Sequence, residues 1–245
     1  MIRLDRWLST LGVGSRSQVQ KLIRTGEVTV DGGRVTDPGT LCGESAVLAV
    51  AGETLDSRLR RHIMLHKPAG LLTAARDRKQ PTVMDLLPPC FVTLGCMPVG
   101  RLDKDTTGLL VLTTDGELAH RLLSPGRHVD KVYLATVDGP LGAREQEMFA
   151  RGLNLGDFSA QPADLAIISS SAAQATARVT VHEGKFHQVK RMFEAVNRQV
   201  TLLHREKFGP LMLDPQLKEG AWRDLTEEEI RSLRQAAGMG DATDD

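Results

Sequence analysis

The sequence predicts an α+β fold made of a small N-terminal domain, residues 1–57, and a larger one, residues 62–236. Three observations carry this. A capped amphipathic helix is followed by a short hairpin within the first sixty residues. A polar, charged stretch from Gly52 to Arg61 reads as a linker. Beyond it, short apolar strands are mixed with capped helices. With 245 residues, 41% of them hydrophobic, the chain is long enough for two cores and too apolar for disorder.

Leu4, Trp7, Leu8 and Leu11 fall on one side of a short first helix. Ser15-Arg16-Ser17-Gln18 has capping-box spacing: the serine hydroxyl can cap the N3 amide while glutamine reaches back. Val19, Leu22 and Ile23 form one helical face, and Gly26 supplies a left-handed C-terminal cap. Val28–Val30 and Arg34–Thr36 flank Asp31-Gly32-Gly33, a hairpin turn, and Ala46–Val50 is a further strand. In the second domain Ile63-Met64-Leu65 is a strand halted by Lys67-Pro68-Ala69-Gly70. Leu109–Leu112 is an apolar strand core. Asp115 caps a helix carrying Leu118, Ala119 and Leu122, ended by Ser124-Pro125. Val132–Val137 and Ala175–Val181 are strands. Val189, Met192, Phe193 and Val196 define one face of a helix, and Thr226 with Glu229 caps the last one. Residues 237–245, ending in Asp241 to Asp245, read as a disordered acidic tail.

Composition narrows the function classes. No apolar run reaches the roughly 18 residues of a membrane span. Met1 to Arg6 lacks the apolar core of a signal peptide, so the chain reads as cytoplasmic. Cys42, Cys90 and Cys96 are odd in number and show no C-x-x-C spacing, against both a disulfide framework and a structural zinc site. The seven histidines form no ligand spacing, so neither a metal nor a cofactor is expected. Zero net charge leaves room for local basic patches. With 4% aromatics, and Tyr133 the only tyrosine, a broad base-stacking platform is not expected.

Three clusters carry chemistry. Arg16 and Lys21, with Arg24 nearby, lie opposite the apolar stripe of the second helix, a pattern suited to phosphate contacts or simply to a solvated face. In Gly100-Arg101-Leu102-Asp103-Lys104-Asp105-Thr106-Thr107-Gly108, an aspartate sits between a glycine turn and an apolar strand. Arg101 and Asp103 share a face if that segment is extended. In Glu183 to Phe193, Lys190 and Arg191 fall in the first turn of a helix. The dipole there disfavours cations by up to about 1 kcal/mol, which calls for an anion to meet them.

Asp103-x-Asp105-x-Thr107 also fits the nucleophile motif of haloacid-dehalogenase-like phosphatases. That motif needs an apolar strand before its first aspartate and an acidic pair on a later strand end. Here the strand follows, and the one pair of adjacent aspartates is Asp244-Asp245 in the tail.

R-L-D-x-W-L, S-R-S and G-x-V-x-V-D-G, in that order over residues 1 to 50, resemble the S4 RNA-binding module. Leu65-His66-Lys67-Pro68-Ala69-Gly70, Gly100 to Leu110, Lys131-Val132-Tyr133 and Glu183 to Phe193 resemble the RsuA-type family of RNA pseudouridine synthases. Leu203 to Gly209 and Leu225 to Ile230 fit too, so the likeness covers almost the whole chain. His66 stands where that family often has asparagine, and Lys185 where arginine is common.

The resemblance implies a catalytic domain with a mixed, largely antiparallel sheet. It also implies a reaction that detaches uracil from C1′, turns it and rejoins it through C5, with no cofactor. Asp103 is then the essential carboxylate, attacking C1′ or removing a sugar proton. Lys190 is the cation that keeps it ionised, and Tyr133 lies against the base and can relay the C5 proton. Arg101 fills the space the flipped base leaves. Lys185, His187, Gln188 and Arg191 contact phosphate and sugar, and Thr107 supports the Asp103 loop. The implied partner is small-subunit (16S) ribosomal RNA, as an assembly particle, with the protein a monomer and no membrane involved. A different class, an RNA-binding assembly factor with a dead catalytic domain, is opposed by the presence of Asp103, Tyr133 and Lys190 together.

Overall fold

The computed structural model of the chain describes residues 1–240, in two compact units. The first opens with β1 (Ile2–Arg3) and α1 (Leu4–Thr10). The capping box forms at α2 (Arg16–Thr25): Ser15 Oγ accepts from the Gln18 amide, and Gln18 Oε1 accepts from the Ser15 amide. Gly26, at φ 75°, ends that helix in the left-handed region that costs a side chain about 1–2 kcal/mol. β2 (Val28–Val30) and β3 (Gly33–Val35) make the hairpin; β4 (Leu41–Cys42) pairs with β1, and β5 (Leu48–Val50) pairs with β2. Leu4, Trp7, Leu8, Val19, Ile23, Val28 and Leu48 form the core.

Two expectations change here. The stretch read as a linker is built into this unit. Glu53–Thr54 forms β6 on the edge of the sheet β3-β2-β5-β6, Trp7 Nε1 donates to Ser57 O at 2.9 Å, and Asp56 pairs with Arg58 and Arg61. Leu87–Cys96, counted with the second domain in sequence, also belongs to the first unit. It carries α3 (Pro89–Thr93), and the Arg61 guanidinium lies 5.0 Å over the Phe91 ring. Contacts of this kind join segments distant in sequence and leave no local pattern.

The second unit contains β7 (His62–Lys67), β8 (Met97–Pro98), β9 (Thr107–Thr113), β10 (Lys131–Asp138) and β11 (Asp164–Ser170). It continues with β12 (Gln174–Val181), β13 (Val200–Phe208), β14 (Leu211–Met212) and β15 (Trp222–Asp224). The sheet order is β11-β12-β10-β13-β9-β7-β15, with β14 beside β13 and β8 beside β9. Pairing is antiparallel except between β9 and β13, so the sheet is mixed and mostly antiparallel. α4 (Gly116–Leu123) starts where Asp115 accepts from the Leu118 amide at 2.9 Å. α5 (Ala143–Arg151) and α6 (Gln188–Ala195) cover one core through Phe149, Val189, Met192 and Phe193. α7 (Glu227–Ala236), capped by the Thr226–Glu229 box, closes a second core with Leu118, Leu122 and Leu233. The expected disordered tail begins too early: Ala237 is fully buried in this core, and the Met239 amide donates to Arg234 O at 2.8 Å. Its remainder, residues 241–245, lies outside the described residues. Among the described residues no helix is long and apolar enough to cross a membrane.

Candidate active site

Asp103 sits in the loop that leads into β9, and the backbone on both sides of it is pinned. Leu102 is buried, and Thr73 grips it twice: its hydroxyl donates to Leu102 O at 2.7 Å and accepts from the Leu102 amide at 3.2 Å. The Thr106 amide closes a turn onto Asp103 O, and the Gly70 amide donates to Lys104 O at 2.8 Å. Lys67, fully buried, spends its ammonium on three carbonyls: Pro68 at 2.9 Å, Thr106 at 2.9 Å and Lys104 at 3.2 Å. None of these bonds uses the Asp103 carboxylate. The loop is therefore ordered by its own backbone contacts, and the half-buried carboxylate is left out of them.

The other wall comes from β10 and the start of α6. The Asp103 carboxylate lies 3.6 Å from Lys190 Nζ and 3.5 Å from His187 Nε2. Lys190 also pairs with Asp105 at 2.6 Å. The anion required by a cation in the first turn of α6 is thus supplied by the protein, and it is shared between two carboxylates. The Lys190 ammonium, the nearest donor, holds Asp105 below the ordinary carboxylate range. Tyr133 faces the same cleft, beside a bulge where β10 shifts register against β13 between Val132 and Tyr133. Bulges of this kind re-aim the adjacent side chain. Arg101 and Lys185 complete the lining, and Arg101 is exposed.

Other expected residues are already engaged. Gln188 lines the cleft but is buried: its amide oxygen accepts from the Lys185 amide and its nitrogen donates to Glu183, which fixes the 183–188 loop. Arg191 turns away to Asp157 and to Leu155 O, over the Phe158 ring. Thr107 is hydrogen-bonded to His204 Nδ1 at 2.8 Å across the parallel β9–β13 pair, the place of a loop support. Burial, with His66 beside it, holds His204 below the ordinary imidazole range.

Arg16, Lys21 and Arg24 belong to the first unit. Lys21 and Arg24 are exposed on α2, whereas Arg16 lies 3.4 Å from Asp5. Asp5 is fully buried, and bonds from Arg3, Gln20 and Arg16 hold its carboxyl far below the usual range. Arg16 therefore compensates an internal acid as well as facing solvent.

Burial pushes the Lys67 ammonium down to about 8 from 10.5. Between those pH values the unfolded chain binds a proton that the folded chain lacks. Stability contributed at this site therefore rises with pH, by up to about 1.4 kcal/mol per unit. Lys67→Met removes that slope and strands three carbonyls. Unfolding at neutral pH is expected to become easier by about 1–3 kcal/mol. Denaturant melts of both proteins from pH 8 to 10.5 should show the wild type gaining on the variant, and parallel curves would refute the assignment.

A model of the RNA pseudouridylate synthase family matches residues 61–195, and one of the S4 domain matches residues 2–48. The chain belongs to the RNA pseudouridylate synthase family. It is 43% identical to ribosomal small subunit pseudouridine synthase A of Pseudomonas aeruginosa, over 95% of this chain and all of that one. It is 39% identical to the protein of the same name from Escherichia coli K12, over 95% of this chain and all of that one. An uncharacterized RNA pseudouridine synthase of Bacillus subtilis is 39% identical over 96% of this chain and 99% of that one. A solved pseudouridylate synthase superposes with a TM-score of 0.66 at 34% identity, covering 95% of this chain and all of that one.

Within this pseudouridylate synthase, the structure gathers Arg101, Asp103, Tyr133, Lys185, His187 and Lys190 around one cleft. Sequence reasoning missed the buried supports: Thr73, Lys67, and the close strand crossing at Gly108. It also passed over Phe186, which is 70% exposed beside His187. The one signal for Lys67 was its place in the L-H-K-P-A-G run. Among the described residues no group of three or more His, Cys, Asp or Glu is placed to hold a metal ion.

Proposed function

We propose that this pseudouridine synthase acts on a specific uridine of small-subunit ribosomal RNA, with Asp103 as the essential carboxylate. The observation that carries the reading is an aspartate in a cleft, on a loop braced behind it, with Lys190 at 3.6 Å and Tyr133 in the same lining. The names of the Pseudomonas and Escherichia relatives support the choice of RNA.

In this reading the C1′–N1 bond breaks, C1′–C5 forms, the C5 proton passes to water, and N1 takes up a proton from water in its place. Asp103 acts on the sugar in its ionised form, and Lys190 offsets its charge once RNA excludes water. Tyr133 contacts the uracil and relays the C5 proton. Arg101, exposed at the rim, enters the space vacated by the flipped base. Lys185 and His187 meet the backbone, while Gln188 and Thr107 hold loops and Arg191 braces the 155–157 segment behind them. Lys21 and Arg24, with the exposed end of Arg16, give the S4 domain its phosphate contacts. The protein acts in the cytoplasm as a monomer, on a small-subunit assembly particle.

The test is tritium release from small-subunit RNA labelled at uridine C5, in EDTA, with both naked RNA and partly assembled subunits. Release that EDTA leaves unchanged supports the reading. Tight binding to both substrates without release would instead make this an RNA-binding assembly factor.

A further inference from the structure

Among the large apolar side chains exposed in the described residues, Phe186 is the one aromatic, at 70% exposure. Its ring is stacked on the His187 imidazole, with centroids 3.8 Å apart and planes 17° from parallel. The same imidazole, through Nε2, is 3.5 Å from the Asp103 carboxylate. His187 holds this place with a left-handed backbone, φ 50°, which few non-glycine residues adopt. Lys185 and His187 line the cleft, but Phe186 does not. The phenylalanine is therefore the outer layer of a short aromatic stack that begins next to the catalytic acid and ends in solvent.

We infer that Phe186 is the stacking surface for a nucleobase adjacent in the RNA to the target uridine. The inference rests on the proposed function. The target uracil belongs inside the cleft, and Phe186 lies outside it. What passes over the outer face of the ring is the strand entering or leaving the site. That neighbouring base loses its stacking partner when the uridine flips. An exposed ring supplies a new one, in any base identity, because every base has a π-face. One ring suffices for one base, consistent with a chain in which aromatics are 4% of residues. Phe186 is thus a positioning residue that selects unstacked RNA.

The experiment uses the full chain and small-subunit RNA, with the modified uridine first mapped by the wild-type protein. Phe186→Ala, Phe186→Leu and Phe186→Trp are compared for RNA affinity, for kcat at saturating RNA, and for melting temperature. Alanine and leucine are expected to weaken binding about 5- to 100-fold. Tryptophan should bind as the wild type does, with kcat and melting temperature little changed in all three. The deciding arm replaces the nucleotide 5′ or 3′ of the target by an abasic one. The alanine penalty should vanish on one of these two RNAs. A leucine variant as good as wild type, an alanine variant that binds normally, or a penalty that survives on both abasic RNAs would overturn the inference. Wild-type protein that releases no tritium would overturn the functional reading itself, and this inference with it.

Discussion

Asp103→Asn is expected to lower tritium release by about 10³-fold or more while leaving the fold and RNA binding nearly intact. Asparagine keeps the shape of the side chain and removes only its charge and basicity. The carboxylate makes no contact that holds the loop: Thr73, Gly70 and Lys67 bind backbone atoms around it. The melting temperature should therefore move by no more than about 2 °C, as for surface substitutions. Lys190 keeps its 2.6 Å pair with Asp105, so its side chain stays in place. Affinity for RNA should change by less than about fivefold, the scale of one exposed charge. Release assays, melts and anisotropy on one preparation separate these effects. Modification that persists at more than a few percent of the wild-type rate would remove Asp103 from its role.

Gly108→Ala is expected to destabilise the second unit and abolish activity through it. Gly108 has φ 107° and pairs with Arg205 at the parallel crossing of β9 and β13. A Cβ there would lie 2.3 Å from Arg205 O and 2.6 Å from Arg205 N, both backbone atoms that cannot rotate away. Relief requires the strands to part. That breaks the Thr107–His204 bond and the 2.8 Å bond from Arg205 Nε to Leu109 O. Left-handed strain and overpacking together cost roughly 3 kcal/mol or more. For a unit of this size that is a fall of roughly 6–12 °C in melting temperature. Gly220→Ala is the control: its φ is 82°, and nothing lies within 4 Å of the added atom. It should show the backbone cost alone. Equal melting temperatures for the two variants would mean that the crossing is not the weak point.

Much of this fold is legible because its signals are local. Ser15, Asp115 and Thr226 cap helices whose first amides lie three residues away, and the apolar spacing of Val189, Met192 and Phe193 fixes the buried face of α6. The side chains that line the cleft are legible for a similar reason, since they stand in short dense runs. What escapes is everything settled by pairing across long separations. Lys67 meets Thr106 only because β7 lies against β9, and Thr73 meets Leu102 from 29 residues away. The parallel neighbour of β9 is β13, nearly a hundred residues on, so the crowding at Gly108 has no counterpart in its own segment. The first unit's claim on Leu87–Cys96 is of the same kind.

That claim bears on how such a chain can be cut or joined. Because Leu87–Cys96 belongs with Met1–Arg61, the polypeptide passes between units after Arg61, after Leu86 and after Cys96. Deleting the first sixty-one residues would leave a stranded segment whose Phe91 has lost Arg61 from its ring face. Cutting or joining the chain at one junction would not by itself undo or produce this arrangement. A second, internal change is needed: the 87–96 segment must arise or disappear along with its host.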